Sequence, residues 1–237
     1  MTSSSSARKA AALYDRPYAE RYRAHDDTLS DSAPYRGFVA WLQRVCDAFA
    51  HPIDVLDLGC GTGRYFSALG CARTIIGLDA SEDMLAKARR PIGADSITAQ
   101  VTLIHGDVFS HRFEPGTFDL VYSIGVLAEH APLNADLVAR VHGWLRAGGR
   151  FAFSTVHPDS PSIARTATRT FASAVERVAF GAPRRWLRSR LLAGGMYADE
   201  RWIAERLQPG FVIESIERFV SEAHLHCLCV ARKDGAA

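Results

Sequence analysis

The stretch that decides the fold is VLDLGCGTGRY, residues 55–65. An apolar run containing Asp57 leads directly into three glycines on alternate positions, Gly59, Gly61 and Gly63. Glycine has no Cβ and tolerates positive φ, so the backbone of such a turn can approach a ligand closely. The segment therefore predicts a buried strand, a tight glycine turn and a ligand at the end of the strand.

The spacing of these glycines distinguishes this turn from two known phosphate-binding motifs. The dinucleotide-binding pattern GxGxxG requires a glycine at position 64 or 66, where this chain has Arg64 and Phe66. A P-loop requires Gly-Lys-Ser or Gly-Lys-Thr, which is absent. A nicotinamide-dependent oxidoreductase and a P-loop NTPase are both disfavoured.

Strand-like and helix-like runs alternate from residue 53 to residue 156, which is typical of a parallel sheet with helices on its faces. Two further runs near the C-terminus are separated by a short polar turn, which predicts an antiparallel pair. The predicted strands are IDVLDL (53–58), RTIIGLD (73–79), VTLIHGD (101–107), FDLVYSIG (118–125), GGRFAFSTV (148–156), FVIESIERFV (211–220) and HLHCLCVAR (224–232).

Two helices between these strands have clear boundaries. Ser81 is a good N-cap for a helix from Ser81 to Arg90, which has acids in its first turn and basic residues in its last. A second helical pattern runs from Leu133 to Arg146, and we predict that Gly148 and Gly149 end it.

The predicted fold is therefore a single α/β domain over residues 1–237, with a parallel sheet and a C-terminal antiparallel pair. With 237 residues, 48% of them hydrophobic, the chain can bury a core without disulfides or metals. Its predicted parts are a helical N-terminal cap (1–50), a ligand-binding core (53–156), a helical insertion (157–208) between the fifth and sixth strands, and a C-terminal strand pair (210–232).

Charge and composition favour a cytoplasmic protein without stable membrane insertion. No apolar run reaches the roughly 18 residues of a spanning helix, and the first residues lack the apolar middle of a secretion signal. The five cysteines are scattered, which predicts reduced thiols rather than a zinc site. The net charge of +2 is too small to imply a nucleic-acid partner.

Three acids follow or end three consecutive predicted strands: Asp57, Asp79 and Asp107. Open α/β sheets bind ligands at this edge, in the crevice at the carboxyl ends of the strands. Asp79 can accept two hydrogen bonds from a ribose diol, and Asp107 lies within reach of a base edge. The alternative is that each carboxylate only caps the helix or turn that follows it.

The chain resembles the class I S-adenosylmethionine-dependent methyltransferases of the small, single-domain kind. VLDLGCGTG matches the first motif of that family, GLDAS its ribose-binding acidic motif, HGDVF its adenine motif, FDLVYSIGVLAEH its fourth motif and WLRAGGRFAFS its fifth. The resemblance covers residues 53–156, and residues 210–232 less closely. It implies a Rossmann-like, doubly wound α/β fold whose seven-stranded sheet is mostly parallel and has a final antiparallel strand.

The resemblance implies S-adenosyl-L-methionine as the cofactor and assigns roles to residues at the strand ends. The glycine turn would meet the methionine part of the cofactor, and Asp57 would orient that turn. Asp79 would hold the ribose, Met84 would lie against the adenine and Asp107 would accept its amino group. The complete implied set is Tyr22, Asp57, Gly59, Cys60, Gly61, Asp79, Ala80, Met84, Asp107, Val108, Ser123 and Ile124, of which the last two would flank the sulfonium.

Three tyrosines in the N-terminal region, Tyr14, Tyr18 and Tyr22, match the aromatic entry helix of many relatives and would close over the cofactor. Their helical spacing fits an ordinary amphipathic core face equally well.

The methyl acceptor is predicted to be a small-molecule hydroxyl or amine, such as one on a secondary metabolite or a sugar. The fourth strand ends in YSIG (122–125) rather than in the Asn/Asp-Pro-Pro-Tyr/Phe of many nucleic-acid methyltransferases, which argues against a nucleic acid. Alternatives are a lipid-like acceptor such as a quinone at a membrane surface, and a cofactor-binding module without catalysis. No metal is expected, and the protein is expected to be a monomer or homodimer.

Glu129, His130 and His157 are the candidate catalytic bases, because they follow the fourth and fifth strands and can take a proton near neutral pH. Each of them is equally explained as an ordinary polar loop or helix-start residue. We expect the segment from His157 to Leu207 to form a lid and acceptor pocket, with His157 or His130 at the floor and Met196 or Tyr197 in the wall.

Residues 161–190 concentrate the positive charge of the chain. This stretch contains seven arginines and one acid, so its formal charge is +6. Because the whole chain has a net charge of +2, the other residues together carry −4. Three interpretations of this segment are possible. It can be a solvated lid helix, an arginine-bearing cap over an acidic or phosphorylated acceptor, or a peripheral membrane contact.

Overall fold

The computed structural model describes residues 14–29, 32–161, 197–221 and 224–235. A single sheet runs through these ranges. Its strands are β1 (Ile53–Leu58), β2 (Ala72–Asp79), β3 (Gln100–His105), β4 (Phe118–Ser123), β5 (Leu145–Val156), β6 (Phe211–Ser221) and β7 (His224–Lys233).

The order of the seven strands across the sheet is β3-β2-β1-β4-β5-β7-β6. The first five strands pair in parallel, and β7 is antiparallel to both β5 and β6. The predicted seven-stranded, mostly parallel sheet and its C-terminal antiparallel pair are confirmed. Since the chain adds β2 and β3 on one side of β1 and β4 on the other, the switch point at which such sheets bind ligands lies between β1 and β4.

Helices cover both faces of this sheet. They are α1 (Arg16–Leu29), α2 (Ala33–Asp47), α3 (Glu82–Ala88), α4 (Ala135–Trp144) and α5 (Glu200–Leu207). The apolar side of α2 packs on one face with Val55, whereas α4 and α5 pack on the other with Leu56. Every residue of β1 is therefore buried, as expected for a strand covered on two sides.

Within the described ranges, none of these helices combines the length and the apolar character that a bilayer-spanning segment would need. The predicted division into cap, core, insertion and strand pair stays a prediction.

The helix predicted at Ser81–Arg90 is present as α3, two residues shorter at its C-terminus. The Ser81 hydroxyl accepts the Met84 amide at 3.2 Å, as expected of an N-cap.

The predicted end of the second helix is wrong. Helix α4 ends at Trp144, and Gly148 and Gly149 lie inside β5. The pairing of β4 with β5 shifts between Leu145 and Arg150, where β5 carries extra residues. Gly148 takes φ +72° in this bulge, so the glycine serves the strand rather than the helix end.

A charged cluster joins four strands at the opposite edge of the sheet from the glycine turn. The Asp54 carboxylate accepts hydrogen bonds from Arg73 at 2.5 Å, from Thr74 at 2.7 Å and from Arg146 at 2.9 Å. Arg146 also donates to Asp119 at 2.5 Å. Burial alone would raise the pKa of Asp54, but these donors outweigh it and lower the pKa to about 2.

Replacing Asp54 with Asn should destabilise the fold at neutral pH. The folded state lowers the pKa of Asp54, so its contribution is present above pH 4 and is lost as the pH falls towards 2. We expect Asp54→Asn to lower the free energy of unfolding by about 1 to 2 kcal/mol at pH 7, a discounted value because solvent screens the exposed Arg73 partner. Urea denaturation at pH 7 and pH 3 measures the difference, which should shrink at the lower pH. The exposed Asp95→Asn is the control, and equal stability of the wild type and Asp54→Asn at pH 7 would contradict the expectation.

Candidate functional site

A cavity of about 500 Å³ lies along the carboxyl ends of β3, β2, β1 and β4, within the usual size range of small-molecule sites. Eleven of the twelve residues predicted to contact a cofactor line it: Tyr22, Asp57, Gly59, Cys60, Gly61, Asp79, Ala80, Met84, Asp107, Val108 and Ile124. The fold therefore brings together residues that are up to about 100 positions apart in the sequence.

The glycine turn forms the floor of the cavity beside the switch point. Gly59 has φ +76°, and a Cβ there would lie 2.5 Å from Cγ2 of Val126, which follows β4. The amides of Gly59 and Cys60 both donate to the Leu78 carbonyl, at 2.7 and 3.1 Å. Glycine at position 59 is thus required both by the backbone conformation and by the close approach of the loop after β4.

Asp79 holds the turn from the end of β2. One carboxylate oxygen accepts the Gly61 amide at 2.8 Å, and the other accepts the Ser81 amide at 2.9 Å. Burial raises the pKa of Asp79, although these amides oppose the shift. Each carboxylate oxygen has two lone pairs, so each retains one for a ligand. Asp79 thus binds the backbone of Ser81, the residue that caps the next helix, and it also lines the cavity.

Asp57 lines the cavity but is almost completely buried. It is 4% exposed, and the Tyr122 hydroxyl donates to it at 2.5 Å. The structure thus assigns the anchoring of the glycine turn to Asp79, whereas Asp57 binds the neighbouring strand. Burial raises the pKa of Asp57 to about 8, with the Tyr122 hydrogen bond opposing and the nearby Asp79 adding to the shift.

Asp107 and Ser123 differ in their access to the cavity. Asp107 lines the cavity two residues after β3, and one of its oxygens accepts the Phe109 amide at 2.9 Å. Ser123 is fully buried, and its hydroxyl donates to the Leu58 carbonyl at 2.8 Å. The side chain of Ser123 therefore ties β4 to β1 and does not line the cavity.

Helix α1 is held over the glycine turn by a buried ionic cluster. Asp26 is fully buried and accepts hydrogen bonds from the Thr62 hydroxyl and from Arg64, the latter at 2.7 Å. The Arg64 guanidinium also lies 4.4 Å from the ring centre of Tyr22. Asp26 and Arg64 were missed by the sequence analysis, because nothing in a polar helix marks one aspartate as the partner of an arginine 38 positions away.

The residues before α1 reach the loop after β4. The Tyr14 hydroxyl is 2.8 Å from His130 Nε2, and the Tyr14 carbonyl accepts the Ser81 hydroxyl at 2.6 Å. Tyr14, Tyr18 and Tyr22 all line the cavity, so they form one of its walls.

Glu129 and His130 both line the cavity in this loop. Ala128, directly before them, takes φ +59°, a conformation that is strained for a residue with a Cβ. One carboxylate oxygen of Glu129 is buried and has no hydrogen-bond partner among the described residues. Burial raises the pKa of Glu129 to about 7 and lowers that of His130. The loop thus presents a carboxyl group that titrates at neutral pH.

His157 does not lie at the floor of this cavity, contrary to the expectation. It is 4% exposed and is absent from the cavity lining, as is Tyr197. The Asp159 amide donates to His157 Nδ1 at 3.0 Å, and Nε2 lies 3.5 Å from a Glu200 oxygen. The other wall candidate, Met196, and all seven arginines of the basic segment lie outside the described residues.

Within the described residues, His157, Glu200 and Cys227 place potential metal ligands within 4.8 Å of one another. Nδ1 of His157 accepts an amide hydrogen, so Nε2 carries the proton that a metal would have to displace. Glu200 is also held by Arg218 at 2.5 Å, and burial raises the pKa of the Cys227 thiol to about 12. These groups favour hydrogen bonding over metal coordination, and the absence of a metal requirement stays a prediction.

Comparisons with known proteins agree with this geometry. A family profile described as a methyltransferase domain matches residues 55–149. The demethylmenaquinone methyltransferase of Lactiplantibacillus plantarum is 34% identical over 114 residues, which cover 46% of this chain and 48% of that protein. The ubiquinone biosynthesis O-methyltransferase of Burkholderia multivorans is 33% identical over 132 residues, which cover 54% of this chain and 53% of that protein.

The crystal structure of an S-adenosylmethionine-dependent methyltransferase from Mesorhizobium loti superposes with a TM-score of 0.59 at 26% identity. The match covers 84% of this chain and all of the other. The chain contains a class I S-adenosylmethionine-dependent methyltransferase domain. It spans about half the length of the two curated relatives described above.

The cofactor of the methyltransferase domain is S-adenosylmethionine, and the lining of the cavity suits it. Asp57, Asp79, Asp107 and Glu129 line the cavity, whereas the lining guanidinium, Arg64, is already paired with Asp26. Positively charged sulfonium and ammonium groups would be attracted to these carboxyl groups.

Replacing Asp57 with Asn should stabilise the methyltransferase domain at alkaline pH. The folded state raises the pKa of Asp57, so its favourable contribution is present below pH 4 and is lost as the pH rises to about 8. We compare the free energies of unfolding of Asp57→Asn and the wild type. The value of the variant minus that of the wild type should increase by at least about 1.4 kcal/mol between pH 5 and pH 8, which corresponds to one pKa unit. Chemical denaturation across this range measures it, with the exposed Asp136→Asn as control. A difference that does not change with pH would show that Asp57 is ionised in the fold.

Proposed function

We propose that the domain transfers the methyl group of S-adenosylmethionine to a hydroxyl or amine of a small molecule. The observation that carries the proposal is the row of carboxyl groups at the ends of β1, β2 and β3 around one cavity, together with the unpartnered carboxylate oxygen of Glu129. The two relatives from Lactiplantibacillus plantarum and Burkholderia multivorans are named as methyltransferases, which supports the same reaction type.

Asp79 and Asp107 would hold the nucleoside part of the cofactor. Asp79 retains one lone pair on each oxygen after binding the Gly61 and Ser81 amides, which suits a ribose diol. Asp107 retains one carboxylate oxygen beyond the bond to the Phe109 amide, which suits an exocyclic amine. Met84 and Ile124 would supply apolar surface, and the glycine turn leaves room for the methionine part.

The bound cofactor supplies a methyl group on a sulfonium, which is already activated for transfer. The remaining tasks of the protein are to position the acceptor and to remove its proton. A base is needed when the acceptor atom is an un-ionised hydroxyl or a protonated amine.

Glu129 is the base that the geometry favours among the three candidates. It lines the cavity, and its carboxyl pKa of about 7 is matched to neutral pH. His130 Nε2 already contacts the Tyr14 hydroxyl, and His157 is absent from the cavity lining. Ala128, directly before Glu129, has the strained positive φ of +59°.

Replacing Asp79 with Ala should weaken cofactor binding. Loss of one or two charge-assisted hydrogen bonds costs about 1.5 to 3 kcal/mol, or roughly ten- to a hundred-fold in affinity for S-adenosylhomocysteine. Isothermal titration calorimetry measures the change, and the exposed neighbouring acid Glu82→Ala serves as the control. Unchanged affinity in Asp79→Ala would remove Asp79 from the ribose site.

Replacing Glu129 with Gln should slow methyl transfer while leaving affinity for S-adenosylhomocysteine within a few-fold of wild type. The active form of the base is deprotonated, so kcat/KM of the wild type, measured at sub-saturating S-adenosylmethionine so that it reports the free enzyme, should rise with pH through about 7. Glu129→Gln should abolish this rise and lower kcat by about 100-fold or more. In the matched variant His130→Gln, kcat/KM should still rise with pH. If the pH dependence disappears in His130→Gln and not in Glu129→Gln, His130 is the base.

A further inference from the structure

The cavity extends beyond the row of predicted cofactor residues. In the sheet, β5 and β7 follow β4 on the side away from β3. The cavity reaches Ser221 at the end of β6 and His224 and His226 at the start of β7. The sequence analysis assigned no role to this hairpin end of the cavity, which Ser221 and His226 define together with Tyr35, Phe38 and Tyr65.

Aromatic rings form the wall of the hairpin end. Tyr35 and Tyr65 are stacked, with ring centres 6.0 Å apart and planes at 18°. Phe38 lies 6.0 Å from Tyr65 and packs edge-on against His226 at 5.3 Å. Aromatic side chains such as these favour an aromatic ligand, because a ligand ring that stacks on them or meets them edge-on gains a ring–ring attraction in addition to the effect of its burial.

A buried polar pair sits among these rings. Ser221 Oγ is 2.6 Å from His226 Nε2, and the two residues are 8% and 7% exposed. Burial and the nearby His224 lower the pKa of His226 to about 4, so its imidazole is neutral. The other ring nitrogen, Nδ1, is buried and has no hydrogen-bond partner among the described residues. An orphaned polar atom of this kind is unfavourable, and a ligand hydroxyl would satisfy it as donor or as acceptor.

The charges near this end do not favour an anionic ligand. The guanidinium among the described lining residues belongs to Arg64, which is held by the fully buried Asp26 at 2.5 Å. Its charge is therefore already neutralised. An ionised carboxylate or phosphate would have to lose its water here without gaining an unpaired cation from the described lining.

We propose that the hairpin end is the acceptor subsite and that it binds an uncharged, hydroxylated aromatic ring. The ring lies against Tyr35, Phe38 and Tyr65, and its hydroxyl bonds to His226, which the Ser221 hydroxyl keeps in a fixed orientation. The inference rests on the proposed methyltransferase function, and it narrows the acceptor from any small hydroxyl or amine to this class.

Binding of two probes of matched shape tests the subsite. 2-Naphthol carries a neutral hydroxyl, and 2-naphthoate carries a carboxylate on the same ring system. Calorimetry with protein saturated with S-adenosylhomocysteine should give at least ten-fold tighter binding of 2-naphthol. His226→Phe, which keeps a ring in place, should weaken 2-naphthol five- to ten-fold and leave S-adenosylhomocysteine affinity within two-fold. His51→Phe, a change at an exposed histidine outside the cavity, should alter neither.

Three results would overturn the subsite: no saturable binding of 2-naphthol, tighter binding of 2-naphthoate, or the same 2-naphthol affinity in His226→Phe and wild type. Failure of S-adenosylhomocysteine to bind would instead reject the proposed function itself. If His226→Phe does not fold, the imidazole NMR signals of wild-type His226 replace it. They should shift on addition of 2-naphthol to the loaded protein, and unchanged signals would reject the contact.

Discussion

The site depends on the two hydrogen bonds that the Asp79 carboxylate accepts from backbone amides. Its two oxygens accept amides from two separate elements, the glycine turn after β1 and the start of α3. Both bonds are partly buried, and a buried amide left without a partner costs about 1 to 3 kcal/mol. One side chain thus holds both the floor of the cavity and the start of the next helix, and it also lines the cavity.

Contacts distant in sequence build the rest of the cavity around that floor. Asp26 draws Thr62 and Arg64 towards α1, and Tyr14 joins Ser81 and His130. The removal of either partner from the Asp26–Arg64 pair would leave a buried charge, a change that typically costs 3 to 5 kcal/mol. The N-terminal helix is therefore part of the site and not only a cover on the sheet.

The electrostatics of the cavity suit a cationic cofactor next to a neutral acceptor. Burial raises the pKa of Asp57, Asp79 and Glu129 in the absence of a cation, so a cationic ligand would lower each of them. At the hairpin end, His226 is neutral and the charge of Arg64 is compensated. The two ends of one cavity thus differ in charge, which allows the residues near β1–β3 and those near β6–β7 to select different chemical groups.

The sequence by itself determined the sheet, the glycine turn and the acids at the strand ends. Each of these depends on local signals: apolar runs of strand length, glycines that only a positive φ explains, and an N-cap serine before α3. The tertiary structure alone decided which carboxylate holds the turn, that Ser123 and His157 do not line the cavity, that α4 ends at Trp144, and that Asp26, Arg64 and His226 belong to the site. These outcomes depend on strand register and on side-chain partners 18 to 65 positions apart, as in the Asp79–Gly61 and Tyr122–Asp57 bonds. Local sequence patterns carry no information about which of several identical acids or histidines will meet a given partner, because that choice is made by packing across the sheet.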